Sequence, residues 1–324
     1  MEKDKERLFP NLRVDSWDNF VGQAKIKKAL RVALTAAKKR QEPAEHILLY
    51  GPPGLGKTTL AHLIAKELNV NLRASSGPAL ERAGDLASIL TNLNPGDIFF
   101  IDEVHRLPKI VEETLYPAME DFHLDIIVGQ GPSARTLKLD LPKFTLIGAT
   151  TSIGQIAAPL RDRFGIVHRL TFYEPGDLTQ VLLNAAQVLK IKLDTGAAEG
   201  LAKRSRGTHR IALKLLKRCR DLAQIKGEPG ITRNILDESL QLLEVDEMGL
   251  DANDRRLLQA LIDKYQGGPV GLETLAAIIS EDKETIEEVI EPYLMQIGFL
   301  QRTPRGRFAT PKAYSHFGKK ERLL

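Results

Sequence analysis

Apolar positions in the first half of the chain fall in short runs separated by helical stretches. His46 to Tyr50, Asn71 to Ser76, Asp97 to Ile101, Phe144 to Thr151 and Val167 to Tyr173 each read as strands. Unbroken runs such as Ile98-Phe-Phe-Ile101 suit strands buried on both faces. Strands alternating with helices predict an α/β fold, a parallel doubly wound sheet with its ligand at the carboxyl ends of the strands. Asp125 to Leu141 breaks the alternation: I-I-V, then G-Q-G-P-S, then T-L-K-L reads as a hairpin inserted after a helix. From about Glu174 the strands vanish, and amphipathic helices are expected over Asp177–Leu189, Gly196–Arg204, Arg210–Gln224 and Arg233–Leu243. Gly227 to Gly230 supplies a turn, and Asp246 to Ala252 reads as a linker. Helices over Asp254–Tyr265, Leu272–Ile279 and Lys283–Ile297, then two short strands around Thr303-Pro-Arg-Gly306, describe a winged helix. The expected domains are a sheet domain over 1–173, a small helical domain over 174–246 and a winged helix over 247–324.

The chemistry is densest where the first strand becomes a helix. Gly51-Pro-Pro-Gly-Leu-Gly-Lys-Thr58 has the G-x-x-x-x-G-K-T spacing of a phosphate cradle. Its glycines open backbone conformations that a Cβ would obstruct, its N–H groups can wrap phosphates, and the helix that follows adds its positive dipole end. Lys57 is placed to reach the β and γ phosphates of ATP and Thr58 to hold Mg²⁺. The run Asp97 to Asp102 ends in Asp102-Glu103, which puts two carboxylates at a strand terminus. Asp102 is placed to support the metal shell and Glu103 to orient or deprotonate the attacking water.

Composition fits an ordinary protein with ample core: 324 residues, 43% apolar and 27% charged. The N-terminus carries charge without an apolar signal segment, and no apolar run approaches the roughly 18 residues needed to span a bilayer. A cytoplasmic location is expected. Cys219 is alone, which excludes an internal disulfide and argues against a zinc site. The net charge of +4 is unevenly spread. Leu201–Arg220 holds eight Lys or Arg and no acid, Leu300–Lys320 holds six and no acid, and Glu281–Glu291 holds six acids against Lys283.

The order of cradle, Asp-Glu, polar strand end, arginine pair and helical lid is that of the AAA+ ATPases. Over almost its whole length the chain closely resembles the RuvB family, the bacterial Holliday junction branch migration motors. Phe100-Ile-Asp-Glu-Val-His-Arg106, Tyr116-Pro-Ala-Met-Glu-Asp-Phe122, Gly148-Ala-Thr-Thr151, Pro159-Leu-Arg-Asp-Arg-Phe-Gly165 and Gln301-Arg-Thr-Pro-Arg-Gly-Arg307 carry the resemblance. The resemblance implies that Leu12 and Arg13 touch the adenine side, and that Gly54, Lys57, Thr58 and Thr59 meet the phosphates. It places Glu120, Asp121 and Phe122 at the site's rim, with Tyr173 and Arg210 closing it from the lid. Thr151 resembles the sensor at the end of the central strand. Arg161 and Arg163 belong to the nucleotide contacts, Arg163 resembling the arginine finger that the family inserts into a neighbour's site. A homo-oligomeric ring, a hexamer in the family, is implied. Also implied are a RuvA-like junction-binding partner docked on the 125–141 hairpin, a RuvC-like resolvase in a larger complex, and roles in recombination, repair and the SOS response.

Three positions depart from the family pattern: Ser152 replaces an arginine, His209 a proline in Gly207-Thr-His-Arg210, and Val14 the proline after Arg13. Losing the proline before the helix loosens the backbone that carries Arg210, and His209 either titrates near neutral pH or is passive. In the winged segment the acidic helix, with Glu284, Glu287, Glu288 and Glu291, is a poor candidate to meet phosphates. Arg302, Arg305 and Arg307 around the Thr303-Pro304 turn are the better grip on duplex and junction DNA, non-specific and salt-sensitive. Lys214, Lys217 and Arg218 form a solvated face or a subunit contact. Ile126, Ile127 and Val128 either meet a partner or pack on the chain's own sheet. A nucleotide-gated DNA switch without sustained movement remains the alternative to a motor.

Overall fold

The computed structural model describes the backbone of residue 12, residues 14–128 and residues 135–320, and side chains outside residues 126–136. These residues group into two compact units: the described residues up to Gly51 with Leu55–Thr171, and Pro52–Gly54 with the described residues from Phe172. No helix among them is long and apolar enough to cross a membrane.

The first unit contains, in chain order, α1 (Ala24–Arg40), β1 (Ile47–Tyr50), α2 (Lys57–Leu68), β2 (Leu72–Ser76), α3 (Ala83–Leu90), β3 (Ile98–Asp102), α4 (Lys109–Glu120), β4 (His123–Val128), β5 (Arg135–Asp140), β6 (Thr145–Thr150), α5 (Ala158–Arg161) and β7 (Ile166–Arg169). Five strands pair in parallel in the order β2-β3-β6-β1-β7. Every residue of β6 is buried, as a central strand requires, whereas the edge strands β2 and β7 keep exposed positions. Leu48, Phe99, Leu115, Phe144 and Leu146 anchor the core between sheet and helices, each fully buried side chain contributing about 1.5–3 kcal/mol. The last strand stops at Arg169 rather than running to Tyr173, because its partner β1 ends at Tyr50. The chain then leaves at Leu170, whose carbonyl oxygen would lie 2.5 Å from a Cβ on Gly51.

The expected insertion is the antiparallel pair β4–β5. Leu124 roots it in the core and Leu139 packs against the same cluster, while Leu137 is 56% exposed. The side chains of Ile126, Ile127 and Val128 lie outside the described residues.

The second unit contains α6 (Pro175–Val188), β8 (Lys192–Leu193), α7 (Thr195–Lys203), α8 (His209–Ile225), β9 (Gly230–Ile231), α9 (Arg233–Leu242), α10 (Ala252–Tyr265), α11 (Leu272–Ile279), α12 (Lys283–Thr285), α13 (Glu291–Gln296), β10 (Leu300–Thr303), β11 (Gly306–Ala309) and α14 (Pro311–His316). The strands do not vanish entirely after Glu174: β8 and β9 pair in parallel, too short to leave a periodic signal. Between α12 and α13 a π-turn spans Ile286–Ile290. Pro292, which follows it, has no N–H to return to the carbonyl of Glu288, and the wider turn accommodates that loss. Leu257, Leu261, Leu275, Ile286, Leu294 and Phe299 form the winged core.

The Asp246–Ala252 segment, expected as a linker, is pinned along its length. The Asp246 carboxylate accepts the N–H groups of Met248 and Leu250 and meets His316 at 2.9 Å. Buried Arg206 donates to the Gly249 carbonyl at 2.8 Å and pairs with Asp251 at 2.7 Å and with the fully buried Asp254. The helical and winged segments therefore share one polar hub.

Candidate nucleotide site and DNA-facing wing

Sheet order assembles the site. The cradle leaves β1 and Asp102-Glu103 leaves β3, and β6 runs between those two strands, so Thr150 and Thr151 emerge between cradle and carboxylates. The Gly51 N–H donates to the Thr150 carbonyl at 3.1 Å, tying the start of the cradle to that strand end. Gly51, Gly54 and Gly56 hold positive φ, and Gly56 starts α2 with no side-chain cap, which leaves the helix's first N–H groups to a ligand. Lys57 is buried, its Nζ donating to the Gly51 carbonyl at 2.6 Å. Thr58 and Thr59 follow it on the first turn of α2, half-buried. The Thr151 hydroxyl is buried and has no hydrogen-bond partner among the described residues. An orphan acceptor and donor beside a phosphate cradle fits a γ-phosphate or its attacking water.

Asp102 accepts the Glu103 N–H at 3.0 Å. Glu103 itself stands at φ 49°, ψ 46°, a left-handed conformation uncommon outside glycine, and its carboxylate lies 3.4 Å from Arg106. Tyr173, buried, stacks on His209 with ring centroids 3.9 Å apart, and its N–H donates to the Gly207 carbonyl at 2.9 Å. Within the same unit the cradle residue Gly54 lies against the start of α8, where a Cβ would come 2.9 Å from the Arg210 Cβ. Arg210 is exposed there, and Thr208 caps the helix by accepting the Ile211 N–H.

His209 resolves the choice left open by the sequence. Burial pushes its imidazole down to about 4, so it is neutral at physiological pH. Since the folded value lies below the ordinary 6.5, the unfolded chain binds the extra proton. Stability is then full above pH 6.5 and lost as pH falls toward 4, by up to about 3 kcal/mol. Thermal unfolding of His209→Pro across that window is expected to show a flatter acid limb than the parent; superimposable limbs would refute this account.

Four predicted site residues are not at the chain's own cradle. Phe122 packs on His46 and Phe144, which precede β1 and β6 at the strands' amino ends. From there to Gly51 is about 16 Å of strand at ~3.3 Å per residue. Glu120, Asp121 and Phe122 thus do not rim the chain's own cradle, because α4 delivers them to the opposite end of the sheet's strands. Arg163 is held beside them: Nη2 meets Glu120 at 3.0 Å, Nη1 donates to the Pro159 carbonyl at 2.6 Å, and the guanidinium lies 4.4 Å over the Tyr116 ring. Arg161 sits at the surface, 3.8 Å from Asp162. Leu12 is half-buried, and Arg13 lies outside the described residues.

The wing corrects a second expectation. Arg307 is not a surface cation: it is 8% exposed, pairing with Glu291 at 2.6 Å and Glu287 at 3.1 Å. The antiparallel register sets Arg302 opposite Arg307, and Arg302 reaches Glu287 at 3.1 Å. Two of the four glutamates of the acidic helix, Glu287 and Glu291, pair with the wing from behind, Glu291 being buried itself. Arg305 remains, exposed and without an ion pair among the described residues. Arg305→Ala is expected to weaken duplex binding and lower the slope of log affinity against log salt by about one. Arg307→Ala should instead lower the melting temperature, since it strands a buried carboxylate; equal salt slopes for both variants would contradict the assignment.

Sequence reading missed α1, which carries seven Lys or Arg and no acid. Lys25, Lys28, Arg31 and Lys39 lie exposed on it. In α8, Arg218 pairs with Asp221 at 3.2 Å and Lys214 is exposed, as on a solvated face.

Comparison with known proteins agrees along the chain. The family model for the Holliday junction DNA helicase RuvB P-loop domain matches residues 12–170, that for the RuvB AAA lid domain residues 173–246, and that for the RuvB C-terminal winged helix domain residues 247–318. Among solved structures, the Thermotoga maritima RuvB Holliday junction branch migration motor is 48% identical, covering 96% of this chain and 99% of its own, with a TM-score of 0.88. A point mutant of the same protein is 49% identical over 95% of this chain and 99% of its own, with a TM-score of 0.89. With a parallel-sheet P-loop domain, a lid and a winged helix in this order, the chain belongs to the RuvB family of Holliday junction branch migration motors.

Proposed function

We infer that this chain is an ATP-driven DNA translocase that moves Holliday junctions, with 1–173 as motor domain, 174–246 as lid and 247–324 as the DNA-gripping head. The observation that carries the assignment is the Thr151 hydroxyl, buried and without a partner among the described residues, at the end of the strand that runs between those carrying the phosphate cradle and Asp102-Glu103. The cradle N–H groups and Lys57 bind the phosphates, with Gly54, Thr58 and Thr59 lining them. Tyr173 and Arg210 are assigned to the nucleotide as lid residues, and Leu12 and Arg13 to its adenine. Glu103 takes the proton of the attacking water, which Thr151 orients. Thr58 and Asp102 would hold Mg²⁺, which neutralises charge on the β and γ phosphates. A hydroxyl and one carboxylate suit that ion, which keeps waters and phosphate oxygens as its other ligands.

Arg163, with Arg161, Glu120, Asp121 and Phe122, completes a site of the next copy, since all are remote from their own cradle or turned to the surface. That arrangement calls for a head-to-tail ring. A RuvA-like partner on the 125–141 hairpin, a RuvC-like resolvase and a cytoplasmic setting complete the proposal. The test is ATP-dependent movement of a synthetic four-way junction by the full chain with a RuvA-like partner. Lys57→Ala is expected to abolish movement and hydrolysis while duplex binding at low salt persists. DNA binding that responds to ATP, with no movement and no sustained turnover, would favour the nucleotide-gated switch instead.

A further inference from the structure

Glu103 occupies a left-handed backbone position, and something must hold it there, because the conformation costs energy for a residue with a Cβ. The two strands beside β3 supply the support. On one side, β2 pairs Ser76 with Asp102, so the chain leaving β2 at Gly77 runs directly against the turn that follows β3. The approach is backbone to backbone. A Cβ on Gly77 would lie 2.3 Å from the Glu103 carbonyl oxygen and 3.1 Å from the Arg106 carbonyl carbon. On the other side, β6 pairs Gly148 with Ile101, which brings Thr150 level with the same turn. Its hydroxyl meets His105 Nδ1 at 2.9 Å and accepts the Ser152 N–H at 3.0 Å. Within the turn, the Arg106 N–H closes back on the Glu103 carbonyl at 2.9 Å.

We propose that Gly77 and Thr150 are positioning residues for hydrolysis, bracketing the Glu103–Arg106 turn from the two strands that flank β3 and joining Glu103 to the strand end that carries Thr151. Neither touches nucleotide. Gly77 fixes the height of the turn by having no side chain, and the Thr150 hydroxyl makes the sensor strand and the base move as one piece. Loss of the γ phosphate beside Thr151 then displaces Glu103 as well, which links the state of the nucleotide to the competence of the base.

The bracket rests on the roles given above to Glu103 and Thr151, so its test separates the two. ATP turnover of the full chain with junction DNA and equilibrium binding of a fluorescent ATP analogue are compared for Thr150→Val, Thr150→Ser, Gly77→Ala, Glu103→Gln and the Thr150→Val/Glu103→Gln pair. Val matches Thr in shape and removes only the hydrogen bonds, so melting temperature should move little. Thr150→Val is expected to lower kcat about tenfold or more with analogue affinity held within about threefold. Ser should restore most of the rate. Gly77→Ala should cost more than Thr150→Val, and on a Glu103→Gln background Thr150→Val should add nothing. The bracket is overturned if Thr150→Val keeps the parent kcat, if Ser fails to rescue, or if its loss multiplies with that of Glu103→Gln. Normal turnover of Glu103→Gln removes the role of Glu103 and the bracket with it. Inactive Glu103→Gln beside normal Thr150→Val removes the bracket alone.

Discussion

Arg163→Ala is expected to lower DNA-stimulated ATP turnover by about 10³-fold or more, the range of a cation supplied in trans to phosphoryl transfer. The guanidinium is placed for such a role. Tyr116 supports its face, Glu120 and the Pro159 carbonyl fix two of its nitrogens, and its Nε is buried with no partner among the described residues. An arginine serving only as a surface ion pair would contribute at most about 1 kcal/mol, and its loss would leave turnover nearly intact. Because the residue is remote from its own cradle, mixed assemblies discriminate further. Adding Arg163→Ala subunits to parent protein should depress turnover out of proportion to their fraction, each one disabling a neighbour's site while keeping its own. A strictly proportional fall would show that every site is complete within one chain and would return the protein to the class of nucleotide switches.

Arg206→Ala should cost about 3–5 kcal/mol of stability, the typical penalty for breaking one side of a buried ion pair. It leaves Asp254 fully buried without its arginine, and one of that carboxylate's oxygens, Oδ1, already has no hydrogen-bond partner among the described residues. Burial pushes Asp254 up to about 7 even with Arg206 pulling it down. Without the arginine the folded-state value rises further above the ordinary 3.8. The folded chain then holds the proton more tightly than the unfolded one, so the variant's deficit should shrink toward pH 5 and widen toward pH 8. Melting curves at both pH values measure this; a deficit independent of pH would mean that lost packing, not a stranded charge, is responsible. Arg206→Met offers a second view, since it restores volume but not charge.

The nucleotide site was legible because its chemistry is local. Eight consecutive residues specify the cradle, and a buried run ending in Asp102-Glu103 specifies the carboxylates, with no knowledge of packing required. The wing was misread for the opposite reason. Arg302, Arg305 and Arg307 look alike in a sequence, and what separates them is a helix face some twenty residues earlier that sets Glu287 and Glu291 behind the sheet. Glu120, Asp121 and Phe122 were assigned to the site without a side of the sheet, which only the direction of α4 and β4 decides. The hub around Arg206 was invisible because Arg206 and Asp254 are 48 residues apart. Both sit in segments read as parts of separate domains. The basic character of α1, by contrast, lay in plain composition.

The neutralised wing has a consequence for how tightly DNA can be held. With Arg307 buried against Glu291 and Arg302 paired with Glu287, the wing presents Arg305 as its exposed arginine without an ion pair among the described residues. One such contact releases about one counterion and holds weakly at physiological salt. Firm attachment must come from several heads engaging the same duplex at high effective concentration, so that avidity rises steeply with the number engaged while any one head lets go readily. A grip of that kind is processive in aggregate and fugitive in each part, which suits a track that has to keep moving.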